Sequence, residues 1–414
     1  MNLPSLTVLA EPRFRLLWIA STASAFGSAF TAIATSFGVL NSGGSASSLG
    51  LVLTGGTVTR LIFFPIGGVW ADRVPRRTVM IGANLFQMLV QAAAAAILLA
   101  GIARVWELLL ASSMLAAGIA MFAPASTGLV AEVVSSQRLQ EANALLAISR
   151  QAASLLGPAL SGLLIAAGNA GWSFAFDALT FGVSALCLAG VRSMSRPGRS
   201  RTSLLADITE GWRELTKRSW YWLNLISHAF WNLGLAVFFV IGPAVSRARL
   251  DGAIGWGLVS AGLAAGGIVG GLISLRLVPR RPLVAGNLAL MLGALPLLAL
   301  AHHLELYVVI ISAGLAFAGQ VFLNSVWSAT VQRLMPPAAL ARLSSYDYLI
   351  SYAIMPIGFA LAGPVSATAG IGRTLVIGGL MMLVPSALTA FMPSVRKVTD
   401  HDEYVVTGPD PVTR

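Results

Sequence analysis

Charge is what this sequence has least of: Asp, Glu, Lys and Arg together make up 10% of its 414 residues, where a soluble domain carries roughly 25%. So few charges cannot coat a water-exposed surface. With 56% hydrophobic residues and a mean hydropathy of +0.80, the chain reads as an integral membrane protein. Its single cysteine, Cys187, lies in an apolar run, which excludes an internal disulfide. Neither a nucleotide P-loop nor an HExxH pair is present, so the sequence offers no enzyme, no cofactor and no resident metal. His302-His303 with Glu305 reads as an interfacial turn rather than a metal site.

What charge there is clusters. Gly67-Gly68-Val69-Trp70-Ala71-Asp72-Arg73-Val74-Pro75-Arg76-Arg77 separates two apolar stretches, and Gly271 to Arg281 repeats its pattern 204 positions later, both copies ending in Val-Pro-Arg-Arg. A second match, Gly157-Pro158-Ala159-Leu160-Ser161-Gly162 with Gly358-Phe359-Ala360-Leu361-Ala362-Gly363, has an offset of 201. Two matches at nearly one offset indicate that one half of the chain duplicates the other. Parallel repeats of this kind build six-plus-six transporters that hold substrate near the membrane midplane.

A bilayer core of about 30 Å needs about 20 apolar residues per helix. Twelve such spans are predicted, at 14–40, 48–71, 78–101, 106–130, 142–168, 172–191, 220–246, 254–276, 282–301, 306–331, 343–366 and 374–393. The fold class is therefore an all-α membrane protein of two pseudo-symmetric six-helix halves. Residues 1–191 form the N-terminal half and 220–395 the C-terminal half. The linker at 192–219 includes a short amphipathic helix near 204–215, and 396–414 is a tail.

Lys and Arg set the orientation, because basic loops stay in the cytoplasm. The N-terminus, the even-numbered loops and the tail carry nearly all of them, among them Arg73, Arg76, Arg77, Arg138, Arg280, Arg281 and seven between Arg192 and Arg218. The other side holds Arg104, Arg247, Arg249 and Arg373. Both termini are expected in the cytoplasm, at the plasma (inner) membrane. The net charge of +11 is thereby a topology signal with some attraction to anionic lipid, not a mark of nucleic-acid binding.

Twelve spans, the central loop and Gly68-x-x-x-Asp72-Arg73-x-Pro75-Arg76-Arg77 between spans 2 and 3 together resemble the major facilitator superfamily over nearly the whole chain. More narrowly, Phe14-Arg15-Leu16-Leu17-Trp18, Ala142-Asn143-Ala144-Leu145 with Arg150 and Gly157-Pro158, and Phe176-Asp177-Ala178 with Phe181 look like the macrolide-efflux branch of the drug:proton antiporters. The resemblance implies a cytoplasmic gate at Gly68, Asp72, Arg73, Arg76 and Arg77, and an export-associated motif at Gly157, Pro158 and Gly162. The sequence departs from the pattern at Pro75, which stands in place of Gly, and at Arg276, which replaces the acid in the second copy. Further departures are Ala144, Ala153 and Ser161 for glycines, and Gly27-Ser28 where relatives often carry an acid.

Ionisable residues inside apolar spans cost roughly 2.5 to 3.5 kcal/mol at a helix centre on insertion scales, so each is a functional candidate. Asp177 could exchange a proton or lock spans together. Arg60 and Arg150 could bind an anionic group or pair with Asp177 or Glu132. Asp72 is expected to accept hydrogen bonds from Arg73 or Arg77 and from the start of span 11 at Ser344 or Ser345. His228 shares a stripe with Asn224 and Asn232 at i, i+4 and i+8, facing either the cavity or a neighbouring helix. Gln320, Asn324 and Trp327 lie on one face of span 10, and Asp347 sits near the cytoplasmic end of span 11. Phe26 and Phe30 suggest an apolar cavity wall.

These residues support a secondary transporter that exports a small amphipathic compound against inward proton flow, working as a monomer in the lipid bilayer. An importer or uniporter of a metabolite or siderophore, or a transport-inactive sensor on the same fold, is the alternative.

Overall fold

In the computed structural model, residues 6–135, 138–191, 218–335, 347 and 350–401 are described. The linker helix expected near 204–215, the Ser344 and Ser345 cap and the tail beyond 401 lie outside them. The described chain holds twelve long helices: α1 Pro12–Asn41, α2 Ala46–Arg73, α3 Arg76–Leu99, α4 Val105–Val133, α5 Leu139–Ala167, α6 Ala170–Gly190, α7 Ser219–Arg249, α8 Gly252–Arg276, α9 Pro282–Ala301, α10 Leu306–Leu334, α11 Ile350–Ala369 and α12 Ile371–Phe391. Each predicted span coincides with one of them. Eleven are long and apolar enough to cross a membrane by length and composition; the remaining one, α5, is the more polar because it carries Glu141, Asn143, Arg150 and Gln151.

Local chemistry places the ends. Ser45 accepts the Ser48 amide at the start of α2, and Asn169 accepts the Gly171 amide at the start of α6, each satisfying a donor the first turn would leave orphaned. Gly370, at φ 90°, closes α11 and opens α12 in one residue, a conformation that costs glycine least. Two prolines interrupt helices from within. Pro296 has no N–H for the Leu292 carbonyl, and α9 tightens into a 3₁₀ turn at Met291–Gly293 just before it. Pro356 does the same to α11, where a turn at 353–354 separates 350–352 from Met355–Ala369.

The duplication seen in sequence is repeated in packing. In the N-terminal half α1 packs on α5 and α6, α3 on α4 and α6, and α2 on α4. In the C-terminal half α7 packs on α11 and α12, α9 on α10 and α12, and α8 on α10. Across the halves α5 meets α8 and α11 meets α2. Lipid tails are as apolar as leucine, so these contacts rest on close packing of small residues. A Cβ on Gly162 would strike the Ala253 carbonyl of α8, and one on Gly363 would strike Ser47 of α2. Likewise Gly257 lies on the Pro158 carbonyl and Gly50 on the Phe359 carbonyl.

These inter-half contacts occupy one end of the molecule, opposite the arginine-rich loops. A hydrogen bond from Arg247 at the end of α7 to the Leu40 carbonyl of α1 (2.5 Å) joins the same end. Deeper contacts are Thr54 to the Pro356 carbonyl (3.2 Å) and Gln151 to the Ala264 carbonyl (3.2 Å). The apolar core follows the same division. At this far end a single cluster includes Phe37, Leu49 and Val52 with Trp231, Val240, Trp256 and Phe359. At the basic end it gives way to two clusters, one around Phe14, Met80, Leu129 and Leu188 and one around Trp220, Tyr221, Trp327 and Val331. Among the described residues the halves are therefore joined at the far end and parted at the basic end.

Candidate functional site

Each half contains a group of polar side chains sunk in apolar surroundings, and the two groups differ in access. In the N-terminal half, Asp177 of α6 is fully buried. Thr31 of α1 donates to its carboxylate at 2.5 Å and Gln91 of α3 at 2.5 Å, and Thr180 lies 3.4 Å away. Gln91 also donates to Thr31. A Cβ on Gly27 would overlap Asp177 and Thr180, so the missing side chain at Gly27 is what lets α1 close over the acid. Two turns away on the same interface Asn84 donates to Ser184 at 2.7 Å, both fully buried.

In the C-terminal half the equivalent interface is also closed. Asn287 of α9 donates to Asn224 of α7 at 2.7 Å, and Ser227 contacts Asn287 and Ser386, each at 3.4 Å. On the other side of α7, however, a cavity of about 220 Å³ opens between α7, α10 and the start of α11. Its wall includes His228, Trp231, Asn232, Gln320, Asn324, Trp327, Asp347, Ser351 and Tyr352. The Trp327 indole donates to Asp347 at 2.7 Å and the Ser351 hydroxyl at 3.1 Å. His228 stands edge-on to Trp327, ring centres 5.3 Å apart. Trp231 is anchored by its indole N–H on the Leu290 carbonyl of α9 at 3.2 Å, at the start of the 3₁₀ turn. Ser351 and Tyr352 stand just before the break of α11 at 353–354.

His228 Nε2 and Asn232 Oδ1 are buried and have no partner among the described residues. Both atoms keep their hydrogen-bonding capacity for a group that enters the cavity. Among the described residues Asp347 is the only carboxylate in the wall, and no Lys or Arg lines it.

Six candidates thus meet in one cavity: His228, Asn232, Gln320, Asn324, Trp327 and Asp347. Asn224 does not join them, since its side chain turns to Asn287 and to the Trp220 carbonyl; the i, i+8 spacing drifts far enough around the helix to separate the ends of that stripe. Phe30 packs on Phe176, ring centres 4.5 Å apart, and Phe26 is half-buried; both belong to α1 and lie outside the cavity wall.

Two expected pairings are corrected. Arg60 and Arg150 are exposed and join neither acid. The Asp177 carboxylate faces α1 and α3, where Thr31 and Gln91 already occupy it, and Glu132 is taken by Arg76 at 3.0 Å from the same end of the bundle. Arg77 binds the terminal carbonyls of α6, Leu188 at 2.9 Å and also Ala189, as a cation does at a helix C-terminus. Arg73 is exposed at the end of α2. The side chain of Asp72 and the position of Gly68 within the packing lie outside what is described. Gly157 rests on Ala29 of α1, and Pro158 and Gly162 face α8 across the seam between the halves.

Gln91, Trp231, Ser351 and Tyr352 were not legible as site residues in the sequence, and Thr31, which the sequence places with Phe26 and Phe30 on a cavity wall, instead bonds to Asp177. A signal did exist for the buried pair Asn84 and Asn287, which stand beside the repeated Gly82 and Gly286 at an offset of 203. Among the described residues no cluster of His, Cys, Asp or Glu could hold a metal ion.

The model of the family described as Major Facilitator Superfamily matches residues 17–359. Over 412 residues the chain is 27% identical to the multidrug efflux pump Tap of Mycolicibacterium fortuitum, covering 94% of this chain and 97% of that one. It is 21% identical over 397 residues to macrolide efflux protein A of Streptococcus pyogenes, covering 93% and 97%. Among solved structures, a mutant of the nucleoside transporter NupG superposes with a TM-score of 0.73 at 11% identity, over 92% of this chain and 100% of that one, a likeness of fold alone.

Proposed function

Because the chain belongs to the major facilitator superfamily and is a membrane transporter rather than an enzyme, we propose that it exports a small amphipathic drug or natural product by alternating access, driven by inward proton flow. The observation that carries this reading is the cavity between α7, α10 and α11, polar and aromatic at once, in a molecule whose described residues join the halves at the far end and part them at the basic end. The positive-inside rule puts the basic end and both termini in the cytoplasm, so the described conformation loads from inside. The efflux proteins to which the chain is similar support the outward direction.

In the opposite state the halves separate at the glycine seam and meet at the basic end. There Asp72, at the end of α2, latches the cytoplasmic side against the start of α11. His228 and Asp347 give the cavity wall two ionisable groups at which a proton and a substrate can compete. One copy holds a whole cavity, which fits action as a monomer in the cell membrane.

Proteoliposomes carrying the purified chain, acidic on the side that corresponds to the exterior, test this reading. Candidate amphipathic compounds are expected to leave the cytoplasm-equivalent side faster with the pH gradient than after an uncoupler. Asp72→Asn is expected to cripple that flux while insertion stays intact. Flux indifferent to the gradient would remove proton coupling, and absence of flux for every compound would remove the export reading.

A further inference from the structure

Resting on the transport reading, we propose that the cavity of the C-terminal half selects compounds that present a protonated amine beside an apolar or aromatic body, with Asp347 as the counter-charge. Four observations converge. Among the described residues Asp347 is the only carboxylate in the wall and no Lys or Arg lines it, so the potential of that described wall favours a cation. Its partners among the described residues, Trp327 and Ser351, are neutral donors. They occupy two of the about four acceptor positions of an ionised carboxylate, which leaves two for an ammonium. The wall also includes the aromatic rings of Trp231, Trp327 and Tyr352, and aromatic faces attract cations within about 6 Å of the ring centre. Finally, Asn232 Oδ1 is a buried acceptor with no partner among the described residues, suited to a second N–H of the same head group.

Asp177, the acid set deep in a span of the N-terminal half, is no competing counter-charge. Asp177 is fully buried behind Thr31, Gln91 and Thr180 and cannot touch a compound in the cavity. Recognition of the charged head is therefore the work of α7, α10 and α11 alone. A cavity of about 220 Å³ is smaller than the roughly 300 to 1,000 Å³ that encloses a drug-sized ligand. It holds the amine-bearing end, while the remainder extends into the space that parts the halves at the basic end.

Isothermal titration of the purified full chain with 4-phenylbutylamine, 4-phenylbutanol and 4-phenylbutyrate separates charge from shape. The amine is expected to bind at least about tenfold tighter than the alcohol, a difference of about 1.4 kcal/mol, and the carboxylate more weakly than either. Asp347→Asn should reduce the amine to the level of the alcohol, while Asp347→Glu should keep the preference and show that the charge, not the fold, was lost. Equal binding of alcohol and amine, tighter binding of the carboxylate, no binding of any of the three, or an amine preference that survives Asp347→Asn would each overturn the assignment. The same three compounds in the gradient-driven flux assay keep the two readings apart. Flux without preference for the amine removes this inference alone, and amine-selective binding without flux supports it while removing the export reading.

Discussion

Gly257 of α8 lies flush on the carbonyl oxygen of Pro158 in α5: a methyl group built on it would sit 2.6 Å from that oxygen. Backbone meets backbone there, so no side chain can swing aside to make room. Gly257→Val should therefore hold the halves apart at the far end, at about 1–3 kcal/mol for overpacking a tight contact, which shifts a two-state balance by about 5- to 150-fold. Spin labels on Asn41 and Arg249 report the outcome as a longer distance population. An unchanged distance distribution with normal flux would show that the seam does not govern closure.

Arg247 closes the same end by another means. Its guanidinium reaches the Leu40 carbonyl, at the C-terminus of α1 where the helix dipole favours a cation. Hydrogen bonds to charged groups contribute about 1.5–3 kcal/mol, reduced here because the arginine is partly exposed. Arg247→Ala should move the label distances in the same direction as Gly257→Val but by less, and Arg247→Lys should recover part of the loss.

In the N-terminal half the expected effect is on stability. Gly27→Val drives a branched side chain into Asp177 and Thr180, and thermal unfolding in detergent should show loss of the folded form. Asp177→Asn is gentler. Thr31 and Gln91 donate to one and the same carboxylate oxygen, and an amide oxygen in its place accepts both less strongly, at a cost of about 1 kcal/mol. Its melting temperature should fall while amine binding in the other half stays within twofold or so. An Asp177→Asn protein of undiminished melting temperature that has lost gradient-driven flux would make Asp177 a proton carrier instead of a lock.

Arg76 and Glu132 pair at 3.0 Å with the arginine one-third exposed, so the bridge is worth about 1 kcal/mol or less. Arg76→Glu alone places two acids together and should lower the melting temperature measurably. Adding Glu132→Arg should restore most of it, and failure of the double variant to recover would mean that Arg76 acts through some other contact.

The architecture is legible in the sequence because a bilayer imposes one length on every span and one sign of charge on every retained loop. Even the duplication can be read from two short matches. Side-chain partners are less legible, because a helix periodicity says which residues share a face but not what that face meets. His228 and Asn224 lie on one stripe, yet one lines the cavity and the other bonds across to Asn287. Asp177 shows the same limit: its depth in the span is plain from the sequence, but that Gly27 makes room for it, and that Thr31 and Gln91 reach it, depends on three helices brought together. Trp231 is legible as an aromatic and nothing more, since its role depends on the Leu290 carbonyl that α9 brings to its indole.

The seam of glycines also has a symmetry. Gly50 of α2 meets the Phe359 carbonyl of α11 as Gly257 of α8 meets the Pro158 carbonyl of α5. In an interface between identical subunits related by a two-fold axis, every contact occurs twice with the partners exchanged. The seam of this chain pairs its contacts by the same rule. Such contacts do not depend on the covalent link between the halves, so the two halves, expressed as separate chains, should find each other in the membrane through the same four residues.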